Sequence, residues 1–200
     1  MKPLVVSFYT GDPIYEEGSK KLAASAEKWG YEYLIEPWED RGSWVKNCAE
    51  KPRFIWRTMV RTDHNTPLVW VDCDAEIMAP FEHLHDAEVD FAVPWSSGSR
   101  DTGFGTGVVY FAPTAGGQRM LQRWIKDCRP ALEGKSQEWD QVTLHKSWKG
   151  LGAERPITQF LPQGYVKVFN HGWRAGEPQV EYVRHQQFSR QVRKQENESK

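Results

Sequence analysis

Cysteine is scarce and unpaired in this chain: Cys48, Cys73 and Cys128 are odd in number, far apart and without a CxxC spacing. That argues against a disulfide framework or a zinc cluster and makes a reducing cytoplasm the expected compartment. No apolar run approaches the length needed to cross a bilayer, so no transmembrane segment is expected. Met1-Lys2-Pro3 runs straight into a strand-like segment rather than a signal-peptide apolar region. An excess of either charge is missing too, with 26 Lys+Arg against 27 Asp+Glu. The balance argues against a chain held all over nucleic acid or acidic membrane by bulk charge. Glycine-rich phosphate loops are also absent. The stretch after Thr10, Gly11-Asp12-Pro13-Ile14-Tyr15-Glu16-Glu17, matches neither GxGxxG nor GxxxxGK[ST], which excludes a standard dinucleotide or ATP site. There is no internal repeat and no interdomain linker.

What the chain has in plenty is tryptophan, ten in 200 residues. Most belong in a core, but flat aromatic faces also stack on sugars and bases, so one or two are expected to line a cleft. The length fits one domain, over residues 1–193, with a polar tail at 194–200 expected to be disordered.

The pattern begins with a buried strand, Leu4 to Tyr9, ended by the turn cluster Thr10-Gly11-Asp12-Pro13. Leu22, Ala23, Ala26 and Trp29 share one helical face between Tyr15 and Trp29, and Gly30 stands where a helix stops. Tyr31 to Ile35 reads as a second strand. Further helices are expected over 48–61, 116–129 and 138–148. Further strands are expected at 68–71, 90–94, 108–111 and 164–169. A β-loop-α-β opening implies an α/β fold with a parallel sheet, whose ligands gather at the carboxyl ends of the strands.

The chemistry concentrates at Asp72-Cys73-Asp74, directly after the fully apolar Leu68-Val69-Trp70-Val71. Two carboxylates there repel and lose solvation unless a cation neutralises them. In an extended segment, residues two apart share a side and can converge on one ion. Oxygen donors favour Mg²⁺ or Mn²⁺ over zinc. A strand end with two solvated carboxylates is the plainer alternative.

At these residues the sequence resembles the GT-A class of nucleotide-diphospho-sugar glycosyltransferases, of the small bacterial or phage type. The resemblance is carried by Val5 to Thr10, by Lys51-Pro52 with Phe54-Ile55, and by Val69 to Ala75. It continues through Gly105 to Phe111, Trp139-Asp140-Gln141 and His185 to Arg190. It implies a single domain with a mixed, mainly parallel sheet flanked by helices. The implied reaction moves a sugar from a UDP- or GDP-sugar to an acceptor hydroxyl with Mn²⁺ or Mg²⁺.

The resemblance also implies residue roles. Thr10 would contact the nucleobase or ribose, and Asp72 and Asp74 would bind the metal at the donor's phosphates, Asp74 more directly and Asp72 partly through the donor's ribose or water. Lys51 would approach the donor, and Gly107, within Gly105-Thr106-Gly107, would let backbone pass close to the transferring sugar. A late residue commonly completes the metal set in this fold: His185 is the first choice and His171 the second. Ser189 and Arg190 could hold the diphosphate. Asp140 and Gln141 would face the reacting carbon, either as base or as stabiliser of an oxocarbenium-like transition state.

Plainer readings stand beside these. Lys51 could be a surface charge at a helix start, the glycines ordinary turn residues and Asp140 a helix-terminus acid. His185 could be a hydrogen-bonded surface residue, and Arg184, Arg190, Arg193 and Lys194 a solvated basic helix face. A sugar nucleotidyltransferase is disfavoured, because its early glycine-rich basic loop is missing. The remaining alternatives are a phage enzyme glycosylating hydroxylated DNA bases and a non-catalytic nucleotide-sugar-binding domain. The acceptor could be a glycan, a small molecule or modified DNA.

Overall fold

The computed structural model describes residues 1–95, 103–168, 172, 176 and 179–188. The first strand, β1 (Leu4–Tyr9), leads into α1 (Pro13–Lys28), which Asp12 caps by accepting from the Ile14 amide and which has proline in its first turn. Strand β2 (Tyr33–Pro37) follows, then α2 (Trp44–Arg61), capped by Ser43. Next come β3 (Leu68–Val71), β4 (Ala75–Ile77), β5 (Phe91–Pro94) and β6 (Val108–Phe111). Helices α3 (Ala115–Leu132) and α4 (Asp140–Gly150) precede β7 (Thr158–Leu161), β8 (Lys167–Val168) and β9 (Val183–His185).

Six strands form the central sheet in the order β2-β1-β3-β6-β5-β7. Strand β6 runs antiparallel to both neighbours, and the other pairings are parallel. The mixed, mainly parallel α/β architecture expected from the sequence is therefore present. A separate three-stranded sheet has the order β4-β9-β8.

Alternation along the strands explains why they read as continuous apolar runs. Val6, Phe8, Leu68, Trp70, Val109 and Phe111 face α2, α3 and α4, where Phe54, Ile55, Leu121, Trp124 and Leu144 meet them. Val5, Val69, Val71, Val108 and Tyr110 face the other way, toward Leu22 and Ala26 of α1 and toward Ile77, Tyr165 and Val183. A sheet covered on both faces leaves no polar alternation to see.

Two expectations are corrected. Residues 164–166 do not form a strand but a 3-10 turn, Gln163–Val166, which only then enters β8; Phe169 lies outside the described residues. The Tyr165 amide bonds back to the Pro162 carbonyl at 3.1 Å, which closes the turn, and Gly164 fits against the Val180 carbonyl oxygen, where an added Cβ would stand only 1.8 Å away. The tight turn also lets the Tyr165 ring stack on Tyr182, with centroids 4.5 Å apart. Arg184 is on strand β9, where it pairs with Glu181, and not on a helix face. Strands β4, β7 and β9 were not expected. The tail at 194–200 lies outside the described residues. No helix among the described residues is long and apolar enough to cross a membrane.

Candidate metal centre and its buried lysine

Strand β3 is buried along its whole length, and Asp72 is the first residue past its end. The chain turns there, with the Ala75 amide donating to the Asp72 carbonyl at 3.0 Å, and sets out again as β4. Strand β9 pairs antiparallel with β4 in a register that places His185 opposite Ala75. Residues 110 apart in sequence thus become neighbours. One ligand atom from each of Asp72, Asp74 and His185 lies within 4.8 Å of the others.

Backbone amides hold this arrangement. Gln186 donates to the Asp74 carbonyl at 3.0 Å, and the Phe188 amide donates to Asp74 Oδ2, also at 3.0 Å. His185 is buried, with Nε2 3.4 Å from the Tyr165 carbonyl oxygen. Its ring needs the space over Gly107, because a Cβ there would meet His185 Cε1 at 2.4 Å. Gly105 makes similar room for Val166, whose Cγ1 would stand 2.9 Å from an added Cβ. In the described structure, then, the clearance at both glycines is taken up by protein side chains.

Lys51 is not a surface charge at a helix start. It lies inside α2, 4% exposed. Its ammonium donates to Asp72 Oδ1 at 2.9 Å, to Asp140 Oδ2 at 2.5 Å and to the Thr106 carbonyl at 3.1 Å. An ammonium has three N–H groups, and all three are used. The indole of Trp70 lies 5.2 Å from Nζ and donates its own N–H to Asp72 Oδ1 at 2.7 Å. Asp140 is the first residue of α4, yet Trp139 stands at the cap position without a side-chain bond. The Asp140 carboxylate points instead to Lys51 and is 4% exposed.

The two carboxylates of the Asp72-Cys73-Asp74 segment have opposite electrostatics. Burial pushes Asp72 upward, but Lys51, with His185 and the Trp70 indole, outweighs it and holds the carboxyl below its ordinary range. Burial and the charge of Asp72 push Asp74 up, beyond what His185 and the Phe188 amide offset. Burial works against the charge of Lys51, but Asp140 and Asp72 more than compensate, and its pKa is raised. Two carboxylates and an imidazole, with one carboxyl pushed up by burial and by its neighbour's charge, could hold a divalent metal ion.

Thr10 stands at the carboxyl end of β1, and the register Val6 to Trp70 places it at the same sheet edge as Asp72. Gln141 is half-buried, next to Asp140 on α4. Gly107 lies across the β3–β6 pairing, its carbonyl accepting from the Asp72 amide at 2.9 Å. Ser189, Arg190 and His171 lie outside the described residues. Trp70, Tyr165 and the Phe188 amide were missed as site residues. Trp70 carried a signal, since residues two apart in a strand share a side and Asp72 is two residues on. Phe188 lies within the His185 to Arg190 stretch that carried the resemblance, but a backbone amide leaves no mark in a sequence, and nothing marked Tyr165. Among the tryptophans, Trp139 and Trp95 are each 40% exposed, and Trp139 packs edge-on to Trp44 with centroids 6.0 Å apart.

No family model and no curated protein matches the sequence. Solved structures do share its fold. One is a glycosyltransferase involved in the glycosylation of the major capsid of PBCV-1, with a TM-score of 0.68 at 13% identity, covering 98% of this chain and 100% of that one. Another is the glycosyltransferase GlyE of Streptococcus pneumoniae TIGR4, with a TM-score of 0.57 at 16% identity over 92% of this chain. Its apo form matches similarly, with a TM-score of 0.56 at 15% identity. The chain spans 55% of the length of GlyE. At these identities the likeness is one of fold: the architecture is shared with known glycosyltransferases.

Proposed function

We propose that this chain is a metal-dependent glycosyltransferase that moves a sugar from a nucleotide-diphospho-sugar to an acceptor hydroxyl. The observation that carries the reading is the meeting of Asp72, Asp74 and His185 within 4.8 Å at the carboxyl edge of a sheet shared with glycosyltransferases. These three residues would hold Mn²⁺ or Mg²⁺. A bound divalent ion would supply charge compensation for the diphosphate of the donor and of the departing nucleotide.

The chain's own residues do the rest. Thr10, at the same edge, contacts the base or ribose of a UDP- or GDP-sugar. Ser189 and Arg190, next in sequence after Phe188, remain candidates for the diphosphate. Asp140, fixed by Lys51 and largely shielded from solvent, acts as a stationary negative charge near the reacting carbon, with Gln141 beside it. Trp139 offers a flat face for a sugar or base next to it.

The test is nucleoside diphosphate release from a panel of UDP- and GDP-sugars. Release should require Mn²⁺ or Mg²⁺ and stop in excess EDTA. Full turnover in EDTA would overturn the metal role. Tight binding of nucleotide-sugars without any release, with glycan, small-molecule and hydroxylated-DNA acceptors all supplied, would leave a binding domain instead.

A further inference from the structure

Lys51 is spent on three oxygens, two from carboxylates and one from a backbone carbonyl. All are hard oxygen donors of the kind that bind Mg²⁺, Mn²⁺ or Ca²⁺. The distances, 2.5 to 3.1 Å, are those of an ammonium. A contraction of roughly half an ångström would bring the oxygens to divalent-ion distances of about 2.0–2.6 Å. Asp72 belongs to both groups. Its Oδ1 accepts from Lys51 and from Trp70, which uses that oxygen's two lone pairs and leaves Oδ2 for another partner. Asp74 and His185 are the metal-binding side chains within reach. Asp72 is therefore arranged like the bridging carboxylate of a two-metal centre, in which the ions stand about 3.5–4 Å apart. One of the two positions holds a lysine.

We infer that Lys51 is a built-in cation occupying what would otherwise be a second metal position, and that it makes the centre mononuclear. It is a positioning residue: it turns Oδ1 of Asp72 away from the loaded ion and keeps Asp140 from being drawn into the metal shell. Its ammonium neither dissociates nor exchanges with the medium. The Asp72–Asp140 side thus keeps its charge balance whether or not donor and ion are present. The inference rests on the proposed metal role of Asp72, Asp74 and His185, and the experiment separates the two.

The measurement is Mn²⁺ stoichiometry by equilibrium dialysis, with electron paramagnetic resonance of the bound ions, on the full chain without donor. Wild type should bind one Mn²⁺ with an uncoupled spectrum. Lys51→Ala should bind two, and their spins should couple through Asp72. Lys51→Ala/Asp140→Asn, which removes the second carboxylate as well, should return to one. No binding by wild type would sink the metal reading and this inference with it. Two ions in wild type, or one ion in folded Lys51→Ala while wild type binds one, would overturn the inference and leave the metal reading intact. If Lys51→Ala does not fold alone, refolding with Mn²⁺ should rescue it, because the ion replaces the missing charge. Failure of Mn²⁺ to rescue, with K⁺ as the control, counts against the inference. A merely structural lysine would alter stability without changing the number of ions bound.

Discussion

Asp72 has two flanks, and they solve the same electrostatic problem in different ways. On one side, Lys51 and Asp140 are buried and paired, and every N–H of the ammonium has an acceptor. On the other, Asp74 faces Asp72 as like charge to like, held in place by backbone amides from Gln186 and Phe188. Its carboxyl is pushed up while that of Asp72 is held down. The first flank is neutralised by the chain itself; on the second, His185 and the Phe188 amide offset the charge only in part, and under the proposed function a metal ion would complete the compensation. A site can be rigid on one side and receptive on the other when only one of its charge deficits is met internally.

The comparison is broken most strongly at Asp74. Asp74→Asn keeps an acceptor for the Phe188 amide but removes the receptive charge. Mn²⁺-dependent turnover should fall at least about 100-fold, the upper end of what outer-shell changes cost at metal sites. The melting temperature without metal should hold or rise. A variant that melts early while its folded fraction turns over normally would make the residue structural.

On the closed flank, Asp140→Asn should reduce turnover by about 100-fold while donor affinity changes little, the mark of an interaction made mainly in the transition state. It also leaves Lys51 partly uncompensated, so some stability is lost, less than the about 3–5 kcal/mol typical of removing one partner from a buried pair. Steady-state kinetics, donor titration and melting on this one variant separate the contributions. Unchanged kcat removes Asp140 from the catalytic set.

Gly107→Ala tests the receptive flank without touching a charged group. The new methyl would stand 2.4 Å from His185 Cε1, so the imidazole must move. Mn²⁺ affinity should drop about 10-fold or more, as on losing support for a metal ligand. Overpacking should cost about 1–3 kcal/mol. Mn²⁺ binding equal to wild type would show that His185 is not a ligand.

The smallest effect is in pH. In the metal-free chain Asp74 holds its proton more readily folded than unfolded. Its contribution is present below the ordinary carboxylate value of 3.8 and is lost as pH rises through its raised folded value. Asp72 has the opposite sign, contributing above the ordinary value and losing it as pH falls through its lowered one. The melting-temperature advantage of Asp74→Asn over wild type should therefore grow as pH rises from 3.8 and then level off. Mn²⁺ should erase it, since the ion binds the folded wild type. An advantage independent of pH would detach Asp74 from the burial and the neighbouring charge assigned to it.

The local sequence determined much of this protein. The strands at Leu68–Val71 and Val108–Phe111 stand where their apolar runs lie, and the helices over α1 to α4 follow their apolar faces with ends shifted by a few residues. The Asp72-Cys73-Asp74 segment stood out as a candidate because two carboxylates after an apolar strand carry an electrostatic cost, and the fold brings His185 to them. Strand β9 was not legible, since three residues have too little periodicity to announce themselves, and its register with β4 is what delivers His185 to Asp74. Lys51 inside an amphipathic helix looks the same in sequence whether it reaches solvent or a buried carboxylate. The packing of α2 and α4 decided the matter, by closing water away from Lys51 and Asp140 and leaving each as the other's partner. Composition and spacing register what a residue is and its near neighbours along the chain; charge compensation and a third candidate ligand depend on distances between segments, which only the folded chain sets.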